Sequence, residues 1–330
     1  MFPELGVMFR REQHPASLIA FARRAETMGF DQLWVVEDCF FMGGIAQAAI
    51  ALAATNRITV GLGIAPAVAR NPAFLAMEYA TLASAFPGRF IGGIGHGVGG
   101  WMEQIGAKPD SWLRSMAEIV TAVRSILHGD TVTTHTAYAN LDAVRLFTPP
   151  AAAPPLVLGV QAEKSLRLAG ACADGVLLAE GAGPAYVRWA RDVMAQGRSA
   201  AGQEGDGRVI VYANCLIDDD DPAAARRQMR GVVAESVAGF MQPQFARADC
   251  APALSDALAK HGVDGLREEM PEAWLDELAI AGTTSDAVAA IGRLAEAGTD
   301  TVVLVPPAGI DCDAWLDSPE LGRIAAMVRR

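Results

Sequence analysis

Short apolar runs alternate with stretches of helical period along almost the whole chain. Eight of these runs read as strands: Leu5–Phe9, Gln32–Glu37, Ile58–Ile64, Phe90–Ile94, Leu156–Val160, Gly175–Ala179, Val209–Leu216 and Thr301–Val305. They are continuous rather than alternating, the pattern of parallel strands buried on both faces. Helices are predicted between them. Pro15–Met28 carries Leu18, Ile19, Ala22 and Ala25 at helical spacing and stops at Gly29. Asn71–Phe86 has Pro72 at an early helical position and ends before Pro87-Gly88. Ser285–Ala297 sets Val288, Ile291, Leu294 and Ala295 on one face before Gly298. Strand-then-helix units in this number predict an α/β fold, a single (β/α)₈ TIM barrel with its site at the C-terminal strand ends.

Two stretches exceed a minimal barrel. Residues 95–155 hold a long helix over about Ser111–His128 and then Thr131–Phe147, which has strand propensity; Trp101–Asp110 reads as loop. Residues 217–280 hold several helices. Both are read as insertions in one domain spanning 1–330. Pro149-Pro150 and Pro154-Pro155 are then an extended lead-in to the fifth strand rather than a domain linker.

Composition narrows the function classes. With 27 Lys and Arg against 38 Asp and Glu, the formal charge is −11, and no basic stripe offers a nucleic-acid footprint. The longest apolar stretch, Ile45–Ala54, is about half a membrane span. The first residues lack a signal-peptide layout, and the cysteines at 39, 172, 215, 250 and 312 form no CxxC. A cytoplasmic protein with a small-molecule substrate, and neither nucleic acid nor membrane as partner, is expected.

Three stretches carry candidate chemistry. The first is Gly92-Gly93-Ile94-Gly95-His96-Gly97-Val98-Gly99-Gly100. Gly95, Gly97 and Gly100 satisfy GxGxxG in form, but no helix is expected to open there and three strands precede it, so a dinucleotide fingerprint is a poor fit. Glycines that let the backbone approach a flat ligand fit better, with His96 either an acid/base group or a hydrogen-bonded histidine without chemistry. The second is the third strand, where Gly61 and Gly63 interrupt an apolar run and mark packing, a bulge or a close ligand approach. Next to it in the barrel lies Glu37-Asp38-Cys39; Asp38 is a hydrogen-bonding or acid/base candidate. Two carboxylates beside Cys39 argue against a nucleophilic thiolate. The third is Val157–Ser165, where a strand feeds directly into a helix start, an anion site built of backbone amides to which Lys164 could add charge. Asp218–Asp221 before Pro222 reads as helix capping, and His14, His128, His135 and His261 have no metal-ligand spacing.

These stretches also carry a resemblance. Leu33–Asp38, Thr55–Ile64, Arg70-Asn71-Pro72, Ala80-Thr81-Leu82, Pro87–Phe90, Gly93–Gly97 and Ala169-Gly170 with Ala173-Asp174-Gly175 resemble the bacterial-luciferase-like superfamily. The match runs from residue 1 to about 215 and resumes near Gly282–Val305. Within the superfamily the chain is most similar to the branch that uses coenzyme F-420, an 8-hydroxy-5-deazaflavin, which includes methylenetetrahydromethanopterin reductase and F-420-dependent glucose-6-phosphate dehydrogenase. The resemblance implies a barrel, commonly a homodimer, with the ring against strand 3 and a cis peptide at Gly63–Ile64. It implies Asp38 and His96 as catalytic residues. The cofactor-binding set is then Asp38, Gly61, Gly63, Ile64, Gly95, His96, Gly97 and the backbone of Val160, Gln161, Ala162 and Glu163. Cys39 stands where the family commonly has His, and Gln161-Ala162-Glu163 where it often has Gly-Gly-Pro or Gly-Pro. The leading expectation is an F-420-dependent oxidoreductase moving a hydride to or from a small organic substrate. Two alternatives are an FMN-dependent monooxygenase using reduced flavin and oxygen, and a non-catalytic flavin-binding barrel.

Overall fold

The computed structural model describes residues 2–239 and 243–329. Eight parallel strands close on themselves: β1 (Glu4–Phe9), β2 (Gln32–Val35), β3 (Thr59–Pro66), β4 (Phe90–Gly95), β5 (Leu156–Gly159), β6 (Gly175–Leu178), β7 (Arg208–Ile217) and β8 (Thr301–Val305). Each pairs with the next in sequence, and β8 returns to β1 with Thr301 opposite Glu4. The helix Leu18–Met28 shows why the alternation works. Leu18, Phe21, Ala22 and Ala25 make one buried stripe against the sheet, and Gly29, at φ 94°, ends the helix in the left-handed conformation. The helix Pro72–Ala85 is capped by the Asn71 side chain, which accepts from the Ala73 amide.

The core has two shells. Leu5, Val7, Leu33, Val60 and their neighbours face outward into the helix layer. Met8, Trp34, Ile91, Val157, Leu177, Ile210, Tyr212 and Val303 fill the barrel interior. Trp34 is fully buried there, and its indole N–H donates to Gln32 at 2.8 Å.

Both extra segments are present. Residues 95–155 hold the helix Trp112–Leu127 and a hairpin of Val132–His135 with Asn140–Val144. They also hold a short helix, Gly99–Gln104, where the sequence reads as loop from Trp101 onward. Its opening glycines have low helix propensity, and burial of Met102 supplies what propensity does not. Pro154-Pro155 leads straight into β5, with the Pro155 carbonyl accepting from the Gly92 amide at 2.9 Å. Residues 217–280 carry the helices Pro222–Gly239, Ala251–Glu269 and Glu272–Leu278 around a core of their own, centred on Met229, Leu254, Leu266 and Leu275. A short strand, Ile280–Gly282, then pairs with the outer end of β7, and the Asp218 amide donates to the Gly282 carbonyl at 2.9 Å. No helix among the described residues is long and apolar enough to cross a membrane.

Candidate active site

A cavity of about 770 Å³ opens at the C-terminal ends of the barrel strands. Its floor is β3. The register between β3 and β4 shifts between Leu62 and Ala65, and the Gly63–Ile64 peptide in that bulge is cis. A second cis peptide, Cys39–Phe40, follows β2; nothing in the sequence signals it. Gly63 lies so close to β7 that an added Cβ would stand 1.9 Å from the Tyr212 hydroxyl and 2.8 Å from Leu177. No other residue fits there.

Gly61 and Gly95 do not line the cavity. A Cβ on Gly61 would strike the Trp34 indole at 2.4 Å, so this glycine makes room for the central tryptophan. One on Gly95 would meet the Ile64 side chain at 2.6 Å. Both serve packing, Gly61 beside Trp34 and Gly95 behind the bulge, where Gly93 and Gly159 accommodate the same isoleucine.

Asp38 forms one wall. Its carboxylate accepts from Arg11 Nη1 at 2.7 Å, and Arg11 also donates to Glu12 at 3.0 Å. The Arg11 guanidinium lies over the rings of Phe41 and Trp101, with centroids at 5.1 and 5.8 Å. Burial alone would lower the Arg11 pKa, but the bonds to Asp38 and Glu12 outweigh it and the net shift is upward. The Glu12 pKa moves down because Arg10 and Arg11 overcome the opposing cost of burial. Glu37 accepts from Arg70 and from the Gly44 amide at 3.0 Å. Burial first, then Glu37 and Asp38, pushes the Cys39 thiol up, which leaves it a poor nucleophile.

His96 follows β4 and lines the cavity beside Gly97. Its Nε2 lies 3.3 Å from Ser165 Oγ, its ring meets Trp112 edge-on at 5.9 Å, and desolvation lowers its pKa. The imidazole is therefore neutral at neutral pH. Beside it, Val160, Gln161 and Ala162 line the cavity before the helix Glu163–Cys172, whose first turn receives no side-chain cap. Amide donors are thus presented there for an anion. The Glu163 side chain turns away to Arg167 at 3.0 Å, so any part it plays is through its backbone amide at the helix start. Lys164 likewise lines a separate surface groove with Ser111 and Arg114.

The sequence reading passed over several cavity residues. Arg10, Arg11 and Glu12 follow β1, Glu180 follows β6, and Tyr212 and Asn214 lie on β7. Their position just beyond or within recognised strand runs was the available signal. The Tyr212 hydroxyl is buried and has no hydrogen-bond partner among the described residues. Burial raises its pKa well above 10.0, with Glu180 and Asp38 adding to the shift. Desolvation also raises the pKa of the half-buried Glu180, with a bond from its own backbone amide and the charges of Arg10 and Arg11 pulling the other way.

A 5,10-methylenetetrahydromethanopterin reductase from Methanolobus tindarius is 27% identical over 309 residues, covering 92% of this chain and 94% of its own length. An F-420-dependent glucose-6-phosphate dehydrogenase from Nakamurella multipartita is 28% identical over 66% of this chain and 68% of its own. Among solved structures, the F-420-dependent tetrahydromethanopterin reductase from Methanopyrus kandleri superposes with a TM-score of 0.78 at 22% identity, covering 98% of both chains. An F-420-dependent secondary alcohol dehydrogenase holding an F-420–acetone adduct gives the same TM-score and identity over 100% of both chains. The family model for luciferase-like monooxygenases matches residues 1–301, and the chain belongs to that family.

Proposed function

We propose that this enzyme is an F-420-dependent oxidoreductase, transferring a hydride between the deazaflavin and a small organic substrate. One observation carries the reading: a glycine-floored bulge and an uncapped helix start open into one cavity. A flat ring with an anionic tail needs both. The relatives give the ring its identity, since the dehydrogenase named for F-420 matches two thirds of the chain.

The residues fit the group. Gly63 and Ile64 would support the ring, and Tyr212, a buried hydroxyl without a partner, would donate to it or to its substrate. The amides around Val160–Ala162 would hold the phosphate. When bound, the deazaflavin supplies a carbon that gives or takes a hydride. The chain's own part is positioning and exclusion of water. Asp38, fixed by Arg11, would orient the ring or substrate as an acceptor. His96, neutral and joined to Ser165, would hold the phosphate end of the cavity in shape. Val232, Phe245 and Trp101 supply apolar wall on the substrate side. We also infer a homodimer; exposed Phe40, Met42, Phe74 and Met77 supply apolar surface on the second and third βα units.

The test is a fluorescence titration with F-420 and FMN in parallel. Saturable binding of F-420 well tighter than FMN is expected. Preference for FMN would favour the monooxygenase reading, and binding of neither would remove the oxidoreductase reading.

A further inference from the structure

We propose that Glu180 is the acid–base residue of the reaction and that the substrate is an uncharged carbonyl compound or the matching alcohol. The inference rests on the F-420 reading and goes beyond it. Four carboxylates line the cavity: Glu12, Glu37, Asp38 and Glu180. Arginine holds three of them. Glu12 is held by Arg10 and Arg11, Glu37 by Arg70, and Asp38 by Arg11. A carboxylate locked to a guanidinium stays an anion and is a poor proton carrier. Glu180 pairs with no guanidinium and with no other side chain among the described residues; its carboxylate accepts only from its own backbone amide. Its backbone is fixed, since the Gln244 amide donates to the Glu180 carbonyl at 3.2 Å.

Glu180 stands two residues past Leu178, which pairs with Val211, so it lies beside the segment of β7 that carries Tyr212 and Asn214. Across the cavity it faces Arg10, Arg11 and Glu12 from the β1 loop, Asp38 from the β2 exit and His96 from the β4 exit. None of these is suited to the proton. The arginines are permanent cations, Glu12 and Asp38 are paired, and His96 is bonded to Ser165. Tyr212 has a hydroxyl with no partner but burial holds its proton tightly, which makes it a donor of hydrogen bonds.

The substrate class follows from the same pairing. Arg10 and Arg11 are the cations on the cavity among the described residues, and both are committed to Glu12, Asp38 and the Pro306 carbonyl. No cation is left for a phosphate or carboxylate on the substrate. In reduction, a hydride with its electron pair leaves the reduced deazaflavin and adds to the carbonyl carbon. The C=O π pair moves to oxygen, which takes the Glu180 proton, and the carboxylate is reprotonated from water at the cavity mouth. Oxidation of the alcohol runs these transfers backwards.

The experiment compares wild type with Glu180→Gln and Glu180→Asp. Infrared titration of the wild type without cofactor should show a protonated-carboxyl band persisting above the pH at which ordinary glutamates ionise, absent in Glu180→Gln. F-420 affinity should stay within about threefold in both variants. Turnover of a ketone panel (acetone, cyclohexanone, acetophenone) with reduced F-420 should fall by about 10²–10⁴-fold in Glu180→Gln, with partial recovery in Glu180→Asp. The limb of the wild-type pH–rate profile assigned to this carboxyl should vanish in Glu180→Gln. Glucose 6-phosphate should be a far weaker substrate than the ketones. A missing infrared band, normal turnover by Glu180→Gln, efficient use of glucose 6-phosphate, or no ketone reduction by an enzyme that binds F-420 would each overturn the proposal. Failure to bind F-420 would instead overturn the function on which it rests.

Discussion

Gly63 and Tyr212 are coupled by contact. With the hydroxyl 1.9 Å from where a Cβ would sit, Gly63→Ala forces one of the two to move. Overpacking of this kind costs about 2 kcal/mol. A double-mutant cycle by thermal unfolding should show much of that loss returning when Tyr212→Phe removes the hydroxyl. Tyr212→Phe alone should stabilise the cofactor-free protein by about 1 kcal/mol, because an unpartnered buried hydroxyl disappears. The same change should weaken F-420 binding in the fluorescence titration. Only one half of this pair was legible in the sequence. A glycine inside an apolar strand announces close approach at Gly63, yet Gly61 carries the same signature and serves Trp34 instead. Telling them apart requires knowing which face of β3 each presents and what stands opposite. Tyr212 itself gave no local sign, since an aromatic in a strand ordinarily reads as core.

At the scale of elements, the joints between helices and strands depend on a few polar caps. One oxygen of Glu26, near the end of the helix Leu18–Met28, accepts from the amides of Asn56, Arg57 and Ile58 at 2.6 to 3.0 Å, just before β3. Burial opposes ionisation, but the three amides prevail and the carboxyl pKa falls below its usual value. A depressed carboxyl stabilises the fold above its unfolded pKa of about 4.3 and loses that contribution as pH falls through the folded value. Glu26→Ala should therefore cost about 1–2 kcal/mol at pH 7. In denaturant unfolding followed against pH, the gap between wild type and variant should begin to narrow as pH falls below about 4.3 and go on narrowing toward lower pH. The eight strands were read correctly to within about two residues because burial on both faces writes itself as uninterrupted apolar runs. The helix Gly99–Gln104 was missed because tertiary burial of Met102, rather than propensity, holds it. Asp219 shows the same limit. Its carboxylate receives the Thr284 amide at 2.6 Å, capping a helix 65 residues away that a local reading cannot reach.

For the molecule as a whole, a ligand that binds only the folded barrel stabilises it by mass action. F-420 at about a hundred times its dissociation constant adds roughly 2.7 kcal/mol, which for a chain of this length is a rise in Tm of about 4 °C. Scanning calorimetry with and without F-420 should show that rise; FMN at the same concentration should give less. The barrel was legible from the chain's alternation, whereas the geometry of residues 217–280 was not, because helices that pack on one another leave no strand rhythm to count.

That segment begins and ends at one place. Asp218 and Gly282 are hydrogen-bonded neighbours, and the helices between them enclose their own apolar core. The segment is therefore built as a cassette whose two chain ends meet at β7, while Gln244 at the Glu180 carbonyl and Arg247 over the Trp189 ring seat it on the β6 side. Its loss or exchange demands no rethreading of the sheet. A chain in which residues 222–279 give way to a short Gly/Ser link should retain the circular-dichroism signature and cooperative melting of a barrel. Transplanting the equivalent stretch from a relative should alter which substrates are accepted while leaving F-420 bound. The fold thus separates the barrel that carries the cofactor cavity from a fitting whose exchange leaves the sheet intact.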